Sequence, residues 1–130
     1  MNAIDIMNRP VLAAAKSTSA RDLAIQMLMG GFSGIPITER DGTVVGLVSE
    51  LDIIRALRAG KPLDNVPAAE IMTAAVITVN VDATVEEIME IMDTKQIVRV
   101  PVLEDGKLVG VVSRPDVLRA AIEPKFMRFS

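Results

Sequence analysis

The chain has 130 residues, enough for one domain that buries roughly two thirds of its unfolded surface. Half of the residues are hydrophobic but only 2% are aromatic, and there is neither cysteine nor histidine. This composition removes disulfides, thiolate nucleophiles and the most common general base, so we do not expect an enzyme.

The formal net charge is −3, and the basic residues are scattered. Nucleic-acid binding needs a basic stripe or an aromatic platform, so we expect none. No apolar run approaches the about 18 residues that span a membrane, and the first residues lack the order of a signal peptide. We expect a cytoplasmic protein with no membrane partner.

The first half of the chain predicts a strand, a helix, a hairpin and a second helix. Residues 11–15 form the first predicted strand, and Ser19 with Asp22 occupies the capping positions of a helix that ends at 29–31. Strands over 34–38 and 43–48 flank an Asp-Gly turn, and a helix follows over about 51–58. Gly60, Pro62 and Pro67 then prevent the helix from continuing.

The second half predicts the same order of elements. Residues 76–82 alternate and are β-branched, which indicates a strand, and Thr84 to Glu87 form a capping-box pattern before an apolar helical stripe. Strands over 98–104 and 107–113 flank another Asp-Gly turn, and a helix begins near Pro115.

The two halves are an internal repeat. Residues 42–57, GTVVGLVSELDIIRAL, recur as residues 106–121, GKLVGVVSRPDVLRAA, at an offset of 64. Upstream matches have an offset of 65, and the change falls in a turn that absorbs one residue at little cost. We predict an α/β fold, an α+β sandwich of two pseudo-symmetric β-α-β-β-α repeats. The expected boundaries are 1–58 and 70–122 for the repeats, 59–69 for the linker and 123–130 for a C-terminal tail.

Each repeat places Ser-x-x-Asp at the start of its last helix, as Ser49 with Asp52 and as Ser113 with Asp116. A carboxylate can accept both hydroxyls of a ribose, and a helix N-terminus favours phosphate. The alternative is that each Ser is an N-cap and each Asp a first-turn acid that only stabilises its helix. As an enzyme, the chain would have to use the two carboxylates as a pair, but each is better explained within its own repeat.

The turn Gly, the strand with an internal Gly and the following Ser-x-x-Asp resemble the hallmark of CBS domains. Residues 46–52 and 110–116 both match it, as do the Ser-Gly-Ile-Pro-Ile run at 33–37 and the Ile-Met before each first strand. The resemblance covers about residues 4–121 and implies a CBS pair, or Bateman module. Such modules usually sense AMP, ADP, ATP, NAD or S-adenosylmethionine as regulatory ligands, not as cofactors, and usually form homodimers through their helices.

The resemblance also implies two ligand sites, each in the cleft between the repeats. In the first, the base would lie among Ile6, Val11, Phe32, Ser33 and Gly34, with Ser113, Asp116, Arg99 and Arg114 around ribose and phosphate. In the second, the base would lie among Ile71, Val76, Val98 and Val100, with Ser49 and Asp52 below it. No metal site is expected.

The two sites differ in charge. Arg99 corresponds to Gly34, and Arg114 corresponds to Glu50. Two cations near a helix N-terminus favour phosphate, so the sequence predicts that the Asp116 site is the better one for phosphorylated ligands.

Two functions stay open from the sequence. One is a ligand-sensing module that acts in trans on an unidentified regulated protein. The other is a ligand-free CBS module for dimerisation or protein interaction. Met-rich stretches at 27–29 and 89–92 indicate core and helix-interface positions, which supports a homodimer.

Overall fold

The computed structural model describes residues 1–9 and 11–129, with side chains through Ile122. The chain divides into two compact units. Unit 1 consists of Met1–Val11 and Ile77–Ser130, and unit 2 consists of Leu12–Val76. Each unit therefore combines most of one repeat with the short segment that begins the other repeat.

Unit 2 is an antiparallel hairpin covered by helices. Its elements are α2 (Ala20–Gly30), β1 (Gly34–Thr38), β2 (Val44–Ser49), α3 (Glu50–Arg58), a 3-10 turn (Leu63–Asn65) and α4 (Ala68–Ile71). The hairpin register pairs Gly34 with Ser49 and has an irregularity between Ile37 and Thr38. The segment before α2 adds a single parallel bridge, from Ala14 to Ile37.

Unit 1 repeats this plan. It contains α1 (Ala3–Ile6), β3 (Val79–Asn80), α5 (Val85–Lys95), β4 (Arg99–Glu104), β5 (Lys107–Ser113) and α6 (Arg114–Phe129). Strand β4 lies between β3, which is parallel to it, and β5, which is antiparallel. At the β4–β5 turn, Asp105 and Gly106 both have positive φ, as the tight Asp-Gly turn of the hairpin requires.

The helices and hairpins predicted from the sequence are confirmed, but the first strand of each repeat is much shorter than predicted. Only Ala14 pairs within 11–15, and only Val79 and Asn80 pair within 76–82. The predicted caps are present: Ser19 accepts a hydrogen bond from the Asp22 amide, and Thr84 accepts one from the Glu87 amide. Helix α6 continues into the predicted tail as far as Phe129, and the side chains of 123–130 lie outside the described residues.

A closing segment completes each unit. We use this name for residues 1–9 in unit 1 and residues 66–74 in unit 2. In unit 1, Asn8 forms an antiparallel bridge with Val111 of β5; in unit 2, Thr73 forms the equivalent bridge with Leu47 of β2. Asn2 pairs with Thr84, and Pro67 pairs with Ser19 in the same way.

Each unit has its own apolar core of aliphatic side chains. In unit 1 the buried members are Ala3, Ala83, Ile88, Met92, Val100, Val102, Val112 and Val117. In unit 2 they are Leu23, Met27, Ile35, Ile37, Val48, Ile53 and Ala68. Ala3 and Ala68 belong to the closing segments, so each segment is part of the core that it covers. None of the helices among the described residues has the length and apolar character that a bilayer span requires.

The methionine of each closing segment lies directly on the internal glycine of the neighbouring strand. A Cβ added at Gly110 would lie 2.8 Å from Met7 Cγ and 3.0 Å from Met7 Cβ. At Gly46 the corresponding distances to Met72 Cγ and Cβ are 2.7 and 3.1 Å. Because the conflict includes atoms next to the backbone, a rotamer change of the methionine cannot relieve it fully.

We predict that Gly110→Ala lowers the free energy of unfolding by about 1–3 kcal/mol, because it overpacks the contact with Met7. In a Met7→Ala background the same change costs clearly less, and the difference measures the coupling. Urea unfolding of the four proteins tests this. Equal costs in both backgrounds would contradict the packing account.

Candidate functional site

The Ser-x-x-Asp turn of unit 2 joins β2 to α3. The backbone N–H and the hydroxyl of Ser49 donate to Asp52 Oδ2 at 2.7 and 3.0 Å, and the Asp52 amide donates back to Ser49 Oγ at 3.3 Å. This is a complete capping box, which satisfies donors that the helix start would leave free. Among the described residues, nothing bonds to the other carboxylate oxygen, Asp52 Oδ1. The helix cap predicted from the sequence is thus present, and it uses half of the carboxylate.

The equivalent turn of unit 1 joins β5 to α6 and carries more bonds. The backbone N–H and hydroxyl of Ser113 both donate to Asp116 Oδ2 at 2.8 Å. Asn8 Nδ2 donates to the same oxygen at 2.7 Å, and an Arg119 guanidinium nitrogen donates to Oδ1 at 2.6 Å. The carboxylate therefore has four protein donors shared between both oxygens.

Burial follows the bonding. Asp116 is 4% exposed and is buried in unit 1, whereas Asp52 is half-buried in unit 2. A buried carboxylate is tolerated when it is paired and hydrogen-bonded, and Arg119 with Asn8 meets that need. The repeat places Thr73 at the position of Asn8, and among the described residues its side chain makes no bond to Asp52.

The arginine one turn after each aspartate also differs between the units. Arg119 forms an ion pair with Asp116, and the side chain of Arg119 is 54% exposed. Arg55 is its counterpart in the repeat and is exposed. Within the part of the chain that the structure describes, Arg55 forms no ion pair. The equivalent Asp and Arg residues thus form an ion pair in unit 1 but not in unit 2.

A surface pocket of ≈ 300 Å³ lies beside Asp52 in unit 2. It is lined by Asp52, Arg55, Ala56, Ala59, Lys61 and Ile71. Asp52, Arg55 and Ala56 share one face of α3, and Ala59 is the C-cap of that helix. Ile71 ends α4 in the closing segment. The structure therefore brings Asp52 together with Ile71, two residues of the second predicted site. The pocket offers one carboxylate, two cations and an apolar wall.

The remaining predicted site residues are divided between the units. Ile6 ends α1, and Val11 is the last residue of the first stretch of unit 1. Unit 1 also contains Val98 and, on β4, Arg99 and Val100; the register places Arg99 opposite Ser113. In unit 2, Phe32 and Ser33 precede β1, Gly34 begins it opposite Ser49, and Val76 closes the unit.

Arg114 makes a local bond that the sequence did not indicate. Its Nε donates to the Ile97 carbonyl at 3.2 Å, near the end of α5. The side chain also lines a groove of ≈ 600 Å³ between α5 and α6, with Met89, Met92, Asp93, Gln96, Val117 and Leu118. The Arg114 side chain therefore lies against α5, on the outer helical layer of unit 1.

Sequence reasoning missed two polar residues of these sites, Asn8 and Lys61, and the small pocket residues Ala56 and Ala59. Asn8 could have been noticed because it follows the Ile-Met of the first repeat and has Thr73 as its counterpart. Lys61 lies in the linker, where only the fold places it beside α3. No group of three or more acidic residues within the described part of the chain is arranged to hold a metal ion.

Comparison with known proteins gives consistent matches along the chain. The family model of the CBS domain matches residues 3–59 and again residues 68–123. An uncharacterized protein of Methanopyrus kandleri is 32% identical over 133 residues, which cover 96% of this chain and 68% of that protein.

Two solved structures with bound ligands are also similar. The CBS domain pair of protein MJ0100, in complex with 5′-methylthioadenosine and S-adenosyl-L-methionine, has a TM-score of 0.85 at 29% identity, covering 95% of this chain and 98% of that one. CBSX2 in complex with AMP has a TM-score of 0.83 at 25% identity, again covering 95% and 98%.

The bonding difference between the two aspartates predicts unequal effects on stability. We expect Asp116→Asn to lower the free energy of unfolding by about 1.5–3 kcal/mol, because the charge-assisted bond with Arg119 is lost in a buried position. Asp52→Asn should cost only about 0.3–1 kcal/mol, the contribution of a first-turn charge to its helix. Chemical denaturation of both variants tests the order. Equal losses would contradict it.

Proposed function

The chain belongs to the CBS-domain family as a tandem pair, and from this we propose that it is a regulatory module that senses an adenosine-containing small molecule. A CBS domain pair is a regulatory module and is generally not a catalyst. Similar pairs have been solved with 5′-methylthioadenosine, S-adenosyl-L-methionine and AMP. The proposal for this chain adds that binding alters how the module acts in trans on a partner protein.

The observation that carries the proposal is the pair of Ser-x-x-Asp turns at the starts of α3 and α6. Both turns place a carboxylate at a helix start, where the positive end of the helix dipole suits a phosphate beside a ribose diol. Asp52 and Ile71 line one pocket, which supports a site with a polar and an apolar side. The residues predicted to surround the base stay predictions.

The alternative, a ligand-free structural module, has one observation in its favour. Asp116 is buried and bonded to Asn8, Ser113 and Arg119, so this turn stabilises unit 1 without any ligand. The two functions differ in a simple measurement, because a structural module gains no stability from nucleotides.

We also propose that the module is a homodimer. Large apolar side chains on the outer helical layers are exposed: Ile25, Leu28, Met29, Leu51, Ile54 and Leu57 in unit 2, and Met89, Leu118 and Ile122 in unit 1. On α3, Leu51, Ile54 and Leu57 recur every third residue and form one face. Apolar surface of this kind is typical of an interface between copies.

We predict that an adenosine compound stabilises the protein. Ligand at about 100 times its dissociation constant adds about 2.7 kcal/mol, which raises the melting temperature by several degrees. A thermal-shift panel of AMP, ADP, ATP, NAD and S-adenosylmethionine tests this, with GMP as the control for the base. No shift with any adenosine compound at millimolar concentration would leave the structural module as the function.

We predict a molar mass of twice the 14.0 kDa of the monomer by light scattering at high micromolar concentration. Ile54→Lys should weaken the dimer by about 10-fold or more, because burial of one large aliphatic side chain contributes about 1.5–3 kcal/mol. Arg40→Glu, a charge change at an exposed residue of the β1–β2 turn and not on a helix, is the matched control. A monomeric wild-type protein would refute the dimer.

A further inference from the structure

Building on the proposed function, we infer that unit 2 carries the open nucleotide site of this chain and that it selects phosphate-bearing ligands. In this assignment Asp52 accepts the ribose hydroxyls, and Arg55 with Lys61 binds the phosphate. The equivalent Asp116 of unit 1 is occupied by the protein itself. This order is the reverse of the one predicted from the charges in the sequence.

The protein itself uses most of the hydrogen-bonding capacity of the Asp116 carboxylate. A carboxylate has about four lone-pair sites, and Asp116 receives four donors, from Asn8, Arg119 and twice from Ser113. A ribose diol needs two acceptor positions on the carboxylate. To bind there, a ligand would have to displace Arg119 or Asn8 from a side chain that is only 3% exposed. That displacement costs affinity, because it breaks charge-assisted bonds.

The Asp52 carboxylate accepts fewer hydrogen bonds than the Asp116 carboxylate. Only Oδ2 is used by the capping box, through the two donors of Ser49. Among the described residues, Oδ1 has no bonding partner, and Asp52 lines the ≈ 300 Å³ pocket. Small-molecule pockets run from about 300 to 1,000 Å³, so this one suits a mononucleotide better than a dinucleotide such as NAD.

The charged side chains that line the pocket favour a ligand with a phosphate group. The pocket contains one carboxylate and two cations, Arg55 and Lys61. Lys61 has one acidic neighbour, Glu70 at 3.7 Å, and both side chains of that pair are at least 41% exposed, so their attraction is weak. A phosphate dianion can pair with the two cations that line the pocket, whereas the same cations repel the sulfonium of S-adenosylmethionine. The pocket therefore favours a nucleoside monophosphate over an uncharged or cationic adenosyl compound.

Calorimetry on matched variants tests the assignment, with AMP and 5′-methylthioadenosine as the two probes. Arg55→Gln and Arg119→Gln change the same residue of the repeat in the two units. We expect Arg55→Gln to weaken AMP binding by about 10-fold or more and to leave binding of 5′-methylthioadenosine, which has no phosphate, unchanged. Arg119→Gln should leave the affinity for AMP intact. Asp52→Asn should weaken binding of both probes.

A second measurement uses the wild-type protein, in case substitution of Arg119 unfolds unit 1. In amide NMR spectra, AMP should shift the signals of residues 49–61 and leave those of 113–119 in place. Shifts confined to 113–119, or loss of AMP binding in Arg119→Gln but not in Arg55→Gln, would overturn the assignment while the proposed function stands. If the wild-type protein does not bind AMP but binds another adenosine compound, the assignment is wrong and the proposed function stands; if it binds no adenosine compound of the thermal-shift panel, the proposed function itself is wrong.

Discussion

The rest of the structure depends on the contact between each closing segment and the second hairpin strand of its unit. In each unit a short stretch from the start of the other repeat bridges the second hairpin strand and places its methionine on that strand's glycine. Without a Cβ at Gly46 or Gly110, the backbone of the strand can be approached closely enough for this contact. The same bridge determines which residue of the closing segment lies beside the Ser-x-x-Asp turn: Asn8 in unit 1 and Thr73 in unit 2.

The identity of this residue makes the two Ser-x-x-Asp turns differ in their hydrogen bonds. Unit 1 has Asn8 at the bridge, and its amide reaches Asp116; unit 2 has Thr73, which does not bond to Asp52. With Asn8 on one oxygen and Arg119 on the other, Asp116 becomes a buried structural ion. Among the described residues, the second carboxylate oxygen of Asp52 has no bonding partner. In our proposal the duplicated motif therefore serves structural support in unit 1 and ligand recognition in unit 2. The physical reason is that a buried carboxylate requires hydrogen-bond partners within the protein, whereas a half-buried one can be solvated.

The sequence was sufficient for the four longer helices (α2, α3, α5 and α6), the hairpins and the caps, because each follows from local patterns such as Ser19 with Asp22 or the turn at Asp105 and Gly106. It did not predict the short helices α1 and α4 of the closing segments. It overestimated the strands at 11–15 and 76–82. Each of these segments has only one neighbouring strand in its unit, β1 or β4. It pairs with that strand at one or two residues and then continues into the cap of the next helix. Chain periodicity indicates that a segment can be a strand, but not how many partners the fold provides.

The occupation of Asp116 could not be predicted in this way, because Asn8 lies 108 positions away in the sequence. Charge counting around the motif favoured the Asp116 site for phosphate, whereas the contacts place Arg114 against α5 and Arg119 on the carboxylate itself. A cation that is already paired in a buried position within the protein attracts a ligand less than an exposed one does. Among the described residues, Arg55 forms no ion pair, and Lys61 forms only an exposed one with Glu70, at 3.7 Å.

We propose that the Ser-x-x-Asp turn of unit 2 is open to a ligand and that the protein itself closes the one of unit 1. A crystal structure of the protein grown with AMP tests it most directly. We predict ribose hydroxyls within hydrogen-bond distance of Asp52, phosphate beside Arg55, and the Asp116–Arg119 ion pair unchanged. A ribose bound to Asp116, with Arg119 displaced and Asp52 without ligand, would contradict the account.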